Sequence, residues 1–424
     1  MQRTKNQQPT TRIPVLITAT IIVGIGVGLL AMLLVLLLHA VQHIAYGYSI
    51  SQTISNTSFL AGVSASTPLR RVMILMICGL IAGCGWYLLY RYGKPLVSIK
   101  QAVQSKARMP YVSTIIHALL QICTIALGSP LGREVAPREV GAVFATWLST
   151  KFGLYLREMQ IMLACGAGAG LAVVYNVPFG GAIFAIEVLL CSFNLAVILP
   201  ALATSGIAVA VSWLCLDNVP MYHIAAAIKL SSALVIWSIM AGPIFGFAAF
   251  WFMRIANIAR SKALHDYRML LACCINFTII GVLAIYFPVL LGNGKSPVQL
   301  EFDDTTSIEL SVILLALRMI ICWSSLRVGA QGGLLTPSLA NGALMAVLLG
   351  SLGHFLYPSI ALSTCAIIGA AAFLASAQKM PITAIALILE MTQINISFIV
   401  PIVLAVAGSI GMDYLCENRF FVKK

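Results

Sequence analysis

Two stretches of this chain interrupt long apolar runs with glycine and proline, in the same order and at nearly the same spacing. The first begins with GREVAP (Gly132 to Pro137). An apolar segment follows, then CGAGAGLAVVYNVP and FGGAIFAIE, which ends at Glu187. The second begins with GGLLTP (Gly332 to Pro337). An apolar segment again follows, then IIGAAAFLASAQKMP and ITAIALILE, which ends at Glu390. Each motif sets a Gly and a Pro five apart. Pro137 and Pro178 are separated by 41 residues, Pro337 and Pro381 by 44, and each second proline precedes its glutamate by nine. Backbone broken in this way cannot face lipid with unpaired polar groups, so it belongs inside a helix bundle or against a water-filled cavity. Interrupted segments at matching places in two halves point to a transporter's midplane binding site.

The rest of the chain agrees with a membrane setting. Of its 424 residues 60% are hydrophobic and only 9% charged, against about a quarter charged in an ordinary soluble domain. Spanning a bilayer takes roughly 20 apolar residues, and the runs 15–38, 72–90, 230–252 and 269–292 fit. The first is too long for the apolar region of a signal peptide and lacks a cleavage-type site after it. The net charge of +13 collects on loops and ends: Arg3, Lys5 and Arg12; Arg91, Lys100, Lys106 and Arg108; Arg254, Arg260, Lys262 and Arg268; Arg419, Lys423 and Lys424. By the positive-inside rule both termini are expected in the cytoplasm. No basic face stands apart from the spans, which excludes nucleic acid as a partner. The expected division is a cytoplasmic tail 1–14, a first repeat 15–215, a second repeat 225–416 and a cytoplasmic tail 417–424.

The eleven cysteines are scattered without CxxC and read as small hydrophobes, with no disulfide framework and no metal site. His39 and His43 share a helix face, a spacing a metal pair can use, but no Cys, Asp or Glu stands near them in sequence. A pair at a helix end near the membrane interface is the better reading. HExxH, GxSxG and paired catalytic aspartates are all absent, which argues against an enzyme. No cofactor is implied.

Each Gly-Pro motif places glycines just before a helix start. A helix N-terminus offers unpaired N–H groups and the positive end of the dipole, and two such termini can hold an anion without a full positive charge. Glu134 lies inside the first motif. A carboxylate at membrane depth is a functional candidate: charged, it would occupy the anion's place, and protonated, it would release it. The plainer alternative is a carboxylate paired with Arg133 or Arg138.

These motifs resemble those of the CLC chloride channel and transporter family. GREVAPREVGA looks like GREGPxVQxG, and GGLLTPSLANG looks like GGxFxPxLxxG. The stretches GAGAGLAVVYNVPFGGAIFAIE and PITAIALILEMT resemble the helices that follow. The resemblance spans about 15–424, in the prokaryotic form without cytoplasmic CBS domains. It implies an all-α polytopic membrane protein with two inverted repeats of broken, tilted helices. It also implies a homodimer with one pore per subunit, sited in a cell membrane. Glu134 would be the gating glutamate. Gly132, Arg133, Val135, Ala136, Gly333, Leu334, Leu335 and Thr336 would surround the anion.

The departures bear on the ion and on proton coupling. Where the family has GSGIP this chain has GKPLV (Gly93 to Val97), which puts Lys94 at the serine position; the alternative is a solvated cytoplasmic lysine. The internal proton glutamate of many family antiporters is replaced by Val188, which favours a channel. Glu187, like Glu390, reads as structural. The tyrosine that the family's last helix supplies to the anion falls nearest Phe420 or Phe421, so its hydroxyl is missing. The expected activity is passage of small inorganic anions, chloride foremost, through a glutamate-gated pore. Proton-coupled exchange and a non-conducting sensor or scaffold are the alternatives.

Overall fold

A computed structural model describes residues 11–48, 57–105, 107–224, 230–356 and 360–421. The first half contains α1 (Ile13–Tyr46), α2 (Phe59–Ala65), α3 (Pro68–Tyr92), α4 (Ile99–Ser105), α5 (Tyr111–Ala126), α6 (Val135–Lys151), α7 (Leu156–Tyr175), α8 (Pro178–Phe184) and α9 (Leu195–Ser212). A π-helical turn, Ala185–Leu190, extends α8. The second half contains α10 (Ser232–Ser261), α11 (Arg268–Tyr286), α12 (Lys295–Phe302), α13 (Ile308–Arg327), α14 (Leu335–Leu356), α15 (Leu362–Gln378), α16 (Pro381–Thr392) and α17 (Ile399–Phe421). Among the described residues there is no strand, and nine helices are long and apolar enough to cross a membrane. The fold is all-α and polytopic, as the apolar runs predict.

The two halves repeat one plan. α6 packs on α7 as α14 packs on α15, and α1 packs on α9 as α10 packs on α17. Glycine sets both inner crossings. A Cβ on Gly141 would stand 2.2 Å from the Gly166 carbonyl, and one on Gly342 would stand 2.4 Å from the Gly369 carbonyl. Any side chain there would push the helices apart, which is why small residues mark such crossings in membranes. The turns repeat as well. Asn176 after α7 and Lys379 after α15 both take left-handed backbone, with φ of 54° and 53°, each two residues before the proline that opens the next helix. The apolar window of α7 is 83% buried, against 33% for α13, so α7 lies in the interior and α13 has an exposed apolar face.

Several boundaries differ from the expected ones. The 269–292 run is not one helix: α11 ends at Tyr286, and Pro288 starts a short 3-10 turn, because proline has no N–H with which to continue the ladder. The expected tail 417–424 is helical through Phe421, since Asp413 to Phe421 contains neither Gly nor Pro to stop α17. At the other end, Ile13 and Pro14 already belong to α1, with Pro14 in the first turn that tolerates it. Residues 1–10, 225–229 and 422–424 of the expected tails and second repeat lie outside the described residues. His39 and His43 sit on the last two turns of α1, their ring centroids 6.3 Å apart.

Candidate anion site

The two Gly-Pro motifs meet. Gly132 N–H donates to the Gly333 carbonyl at 2.7 Å, and Gly333 N–H returns a bond to the Gly132 carbonyl at 2.8 Å. This bridge joins the repeats immediately before α6 and α14, so the two helix starts face one centre. The two glycines have their amides occupied with each other. What they contribute is space: a Cβ on Gly132 would lie 2.2 Å from Glu134 Oε2, and one on Gly333 would lie 1.7 Å from Glu134 Oε1.

Glu134 precedes the first residue of α6 and is 1% exposed. Its carboxylate does not cap its own helix. Oε1 accepts the Leu335 N–H at 2.8 Å, at the first residue of α14 in the opposite repeat. Oε2 accepts the Tyr175 hydroxyl at 3.0 Å. Tyr175 Oη is also 2.7 Å from Thr336 Oγ1. With the tyrosine hydrogen on Glu134, the Thr336 hydroxyl is the donor in that second contact. The side chain thus lies where helix N–H groups and hydroxyls converge, the surroundings that favour an anion.

The expected neighbours divide. Among the described residues Glu134 has no ion-pair partner within 4.0 Å. Arg133 turns away, donating from Nη2 to the Val174 carbonyl at 3.3 Å. Arg138 stacks its guanidinium on Phe184, 4.2 Å from the ring centroid. The plain pairing with Arg133 or Arg138 is therefore not seen. Ala136, Leu334, Leu335 and Thr336 are buried around the site, and Val135 is half-buried. Lys94 is exposed in the turn between α3 and α4, its backbone N–H donating to Ser113 Oγ at 2.9 Å. It is not gathered into the Glu134 cluster. Val188 is half-buried in the π-helical turn. Phe420 and Phe421 close α17, and their side chains lie outside the described residues.

Two participants escaped the sequence reading. Tyr175 ends α7, far from either motif, and its left-handed neighbour Asn176 is the local sign of a turn that could aim it inward. Arg260, read from sequence as a loop charge, reaches the second motif and donates to the Gly332 carbonyl at 2.9 Å. Glu187 and Glu390 have the structural role expected of them. Glu187 accepts N–H bonds from Ile382 and Thr383 at 3.0 and 2.7 Å, and the Thr383 hydroxyl at 2.6 Å. Glu390 accepts N–H bonds from Phe179 and Gly180 at 3.0 and 2.6 Å. Each glutamate caps the helix of the other repeat.

The family model described as voltage gated chloride channel matches residues 78–413. The chain belongs to this family. A curated relative, the voltage-gated ClC-type chloride channel ClcB of Escherichia coli O9:H4 (strain HS), is 26% identical over 343 residues, covering 78% of this chain and 81% of the relative. The fold is similar to that of a slow cyanobacterial Cl−/H+ antiporter, with a TM-score of 0.79, 19% identity, and coverage of 98% of this chain and 100% of that one. It is also similar to that of a CLC-type fluoride/proton antiporter, with a TM-score of 0.65, 18% identity, and coverage of 96% and 97%. The shared architecture includes the inverted repeats, and the chain is a multi-pass membrane protein of a family that transports anions.

Proposed function

We propose that this protein passes small inorganic anions, chloride foremost, with the Glu134 carboxylate as its gate. The observation that carries this reading is the seat of Glu134. A side-chain anion rests on the Leu335 amide and the Tyr175 hydroxyl, in a space that two glycines leave open. A diffusing anion of similar size would use the same donors once the carboxylate leaves. Protonation removes the charge that those donors favour, so acid releases the side chain and admits the ion. Tyr175 and Thr336 supply the hydroxyls that Phe420 or Phe421 would lack. Val135 and Ala136 at the start of α6 complete the ring of backbone around the anion. Lys94, exposed on the loop side of α5, adds positive charge at the mouth rather than at the centre.

Val188 supports channel-like passage. Proton-coupled exchange is the second reading, favoured by the hydrogen-bonded His117–Glu139 pair, whose Glu139 lies on α6 five residues after Glu134. The chain is read as a homodimer with both termini cytoplasmic and one pore per subunit. Anion efflux from proteoliposomes with simultaneous pH recording tests these readings. Chloride efflux without stoichiometric proton movement is the channel result, a fixed chloride-to-proton ratio is the exchanger result, and no anion flux overturns both in favour of a scaffold.

A further inference from the structure

We propose that His117, Glu139 and Gln121 form a proton-holding site that loads Glu134 from the face bearing the N-terminal end of α1. The inference rests on the reading of Glu134 as a protonatable gate and goes beyond it, because it assigns a route for the proton where Val188 offers none.

The position follows from the course of two helices. α5 starts at Tyr111, after the turn that carries exposed Lys94 and the short α4, and ends at Ala126, just before the Gly132–Gly333 bridge. α6 starts beside the bridge and returns to Lys151. The loop after it meets the N-terminal end of the described chain, where Tyr155 N–H donates to Thr11 Oγ1. His117 on α5 and Glu139 on α6 therefore lie between that face and the gate. Glu139 follows Glu134 by five residues, about 7.5 Å along a helix axis.

His117 is buried, Glu139 is half-buried, and the two are hydrogen-bonded. His117 Nδ1 is 2.8 Å from Glu139 Oε2, with side-chain exposures of 9% and 13%. Gln121 Nε2 is 2.9 Å from the same Nδ1 and 3.2 Å from the same Oε2. The proton has a satisfied place on either partner. On Nδ1, it is donated to Glu139 Oε2, and the amide also donates to that oxygen. On Glu139, it is donated to the single lone pair of Nδ1, and the amide keeps Oε2 as its acceptor. A purely structural pair needs only one such arrangement. Histidine is also the side chain that changes charge in the physiological range, and a carboxylate at membrane depth calls for a functional account.

From α3, the Trp86 ring packs on His117 with centroids 6.4 Å apart, and the Tyr90 hydroxyl lies beside Gln331 within the field of Glu139. Gln331 is two residues before Gly333. On α6 itself the charged neighbours are Glu134 and Arg138, and the Arg138 guanidinium lies in the field of both carboxylates. α1 and α7 present apolar side chains: Leu30, Leu34 and Leu37 from α1, and small residues from Ala164 to Ala172 from α7. In the proposed step the carboxyl hydrogen of Glu139 passes through water to a Glu134 oxygen. Glu139 is left as the carboxylate, and a proton from the N-terminal face refills it by way of His117.

The test uses the whole protein in planar bilayers, where each face can be acidified separately while anion current is recorded. The readout is the ratio of the responses to acid on the two faces, which a change in total current does not move. Glu139→Gln should reduce the response to acid on the N-terminal face relative to the other by on the order of tenfold or more. His117→Gln keeps a donor against Glu139 and should do the same; it serves if Glu139→Gln does not assemble. An unchanged ratio in an assembled variant overturns the proposal. In that case anion current in the unaltered protein still supports the gate, whereas absence of anion current in the unaltered protein is a failure of the gate reading itself.

Discussion

Glu187 and Glu390 exchange caps across the two repeats: each carboxylate holds the first amides of the other's short helix, α16 and α8 respectively. Val177 and Met380 stand at the N-cap positions of α8 and α16, and neither has a side chain that could cap its own helix. The same pair of bonds written twice makes the contact between the repeats self-matching, and it explains why both glutamates stand nine residues after a proline.

Glu187→Ala and Glu390→Ala should each destabilise the protein to a similar degree. Hydrogen bonds to a charged group contribute about 1.5 to 3 kcal/mol, and each variant loses at least two. Thermal unfolding in detergent measures the loss. A large effect at one site with none at the other would show that the contact is not the symmetric clamp its geometry describes.

Glu134→Gln should raise anion flux at neutral pH and remove its pH dependence, because the amide mimics the protonated side chain. Efflux recorded across a series of pH values checks this, and a variant that keeps the original pH profile would place the gate elsewhere.

Gly333→Ala should resemble Glu134→Gln by a different route. The new Cβ would stand 1.7 Å from Glu134 Oε1, so the carboxylate cannot keep its seat. The expected result is flux that no longer needs acid, with Glu134 still present. Gly333→Ala together with Glu134→Gln should add nothing further, since both act on one event.

Tyr175→Phe removes the hydroxyl that Glu134 Oε2 accepts and leaves the ring in place. The lost bond favours the charged carboxylate over the protonated one, so its removal should let the gate open with less acid. Flux should rise at higher pH than in the unaltered protein, and anion binding measured by calorimetry should weaken because the anion loses the same donor. A shift of the flux profile toward acid would contradict the assignment.

Lys94→Ser should weaken anion entry, and the difference should shrink in high salt, since an exposed charge is screened over about 10 Å at 0.1 M ionic strength. Flux measured at low and high ionic strength, with osmolarity held constant, separates this from a buried ligand, whose loss would persist in salt. A variant that matches the unaltered protein at both would leave Lys94 a solvated loop residue.

The repeat, the broken segments and Glu134 were legible in the sequence because each is local: a spacing, a Gly-Pro pair, a carboxylate in an apolar run. The partners of Glu134 were not. Leu335 is 201 residues away and Tyr175 is 41, and the bonds depend on how the two halves are set against each other. Gly132 and Gly333 read from sequence as residues beside an anion, but nothing local shows that they bond to one another. His117 and Glu139 lie 22 residues apart on different helices. Helical periodicity alone does not bring them together.

The bridge between Gly132 and Gly333 is made of backbone alone, and that limits how such a protein can vary. Substitution at either glycine adds bulk against the Glu134 carboxyl, so the seam offers no side chain that a change of residue could reshape by degrees. Differences in ion preference or opening rate have to arise in the flanking positions, Tyr175, Thr336 and the first turns of α6 and α14. On the proposed reading, the centre of the pore is thus its least adjustable part, and adaptation is left to the ring around it.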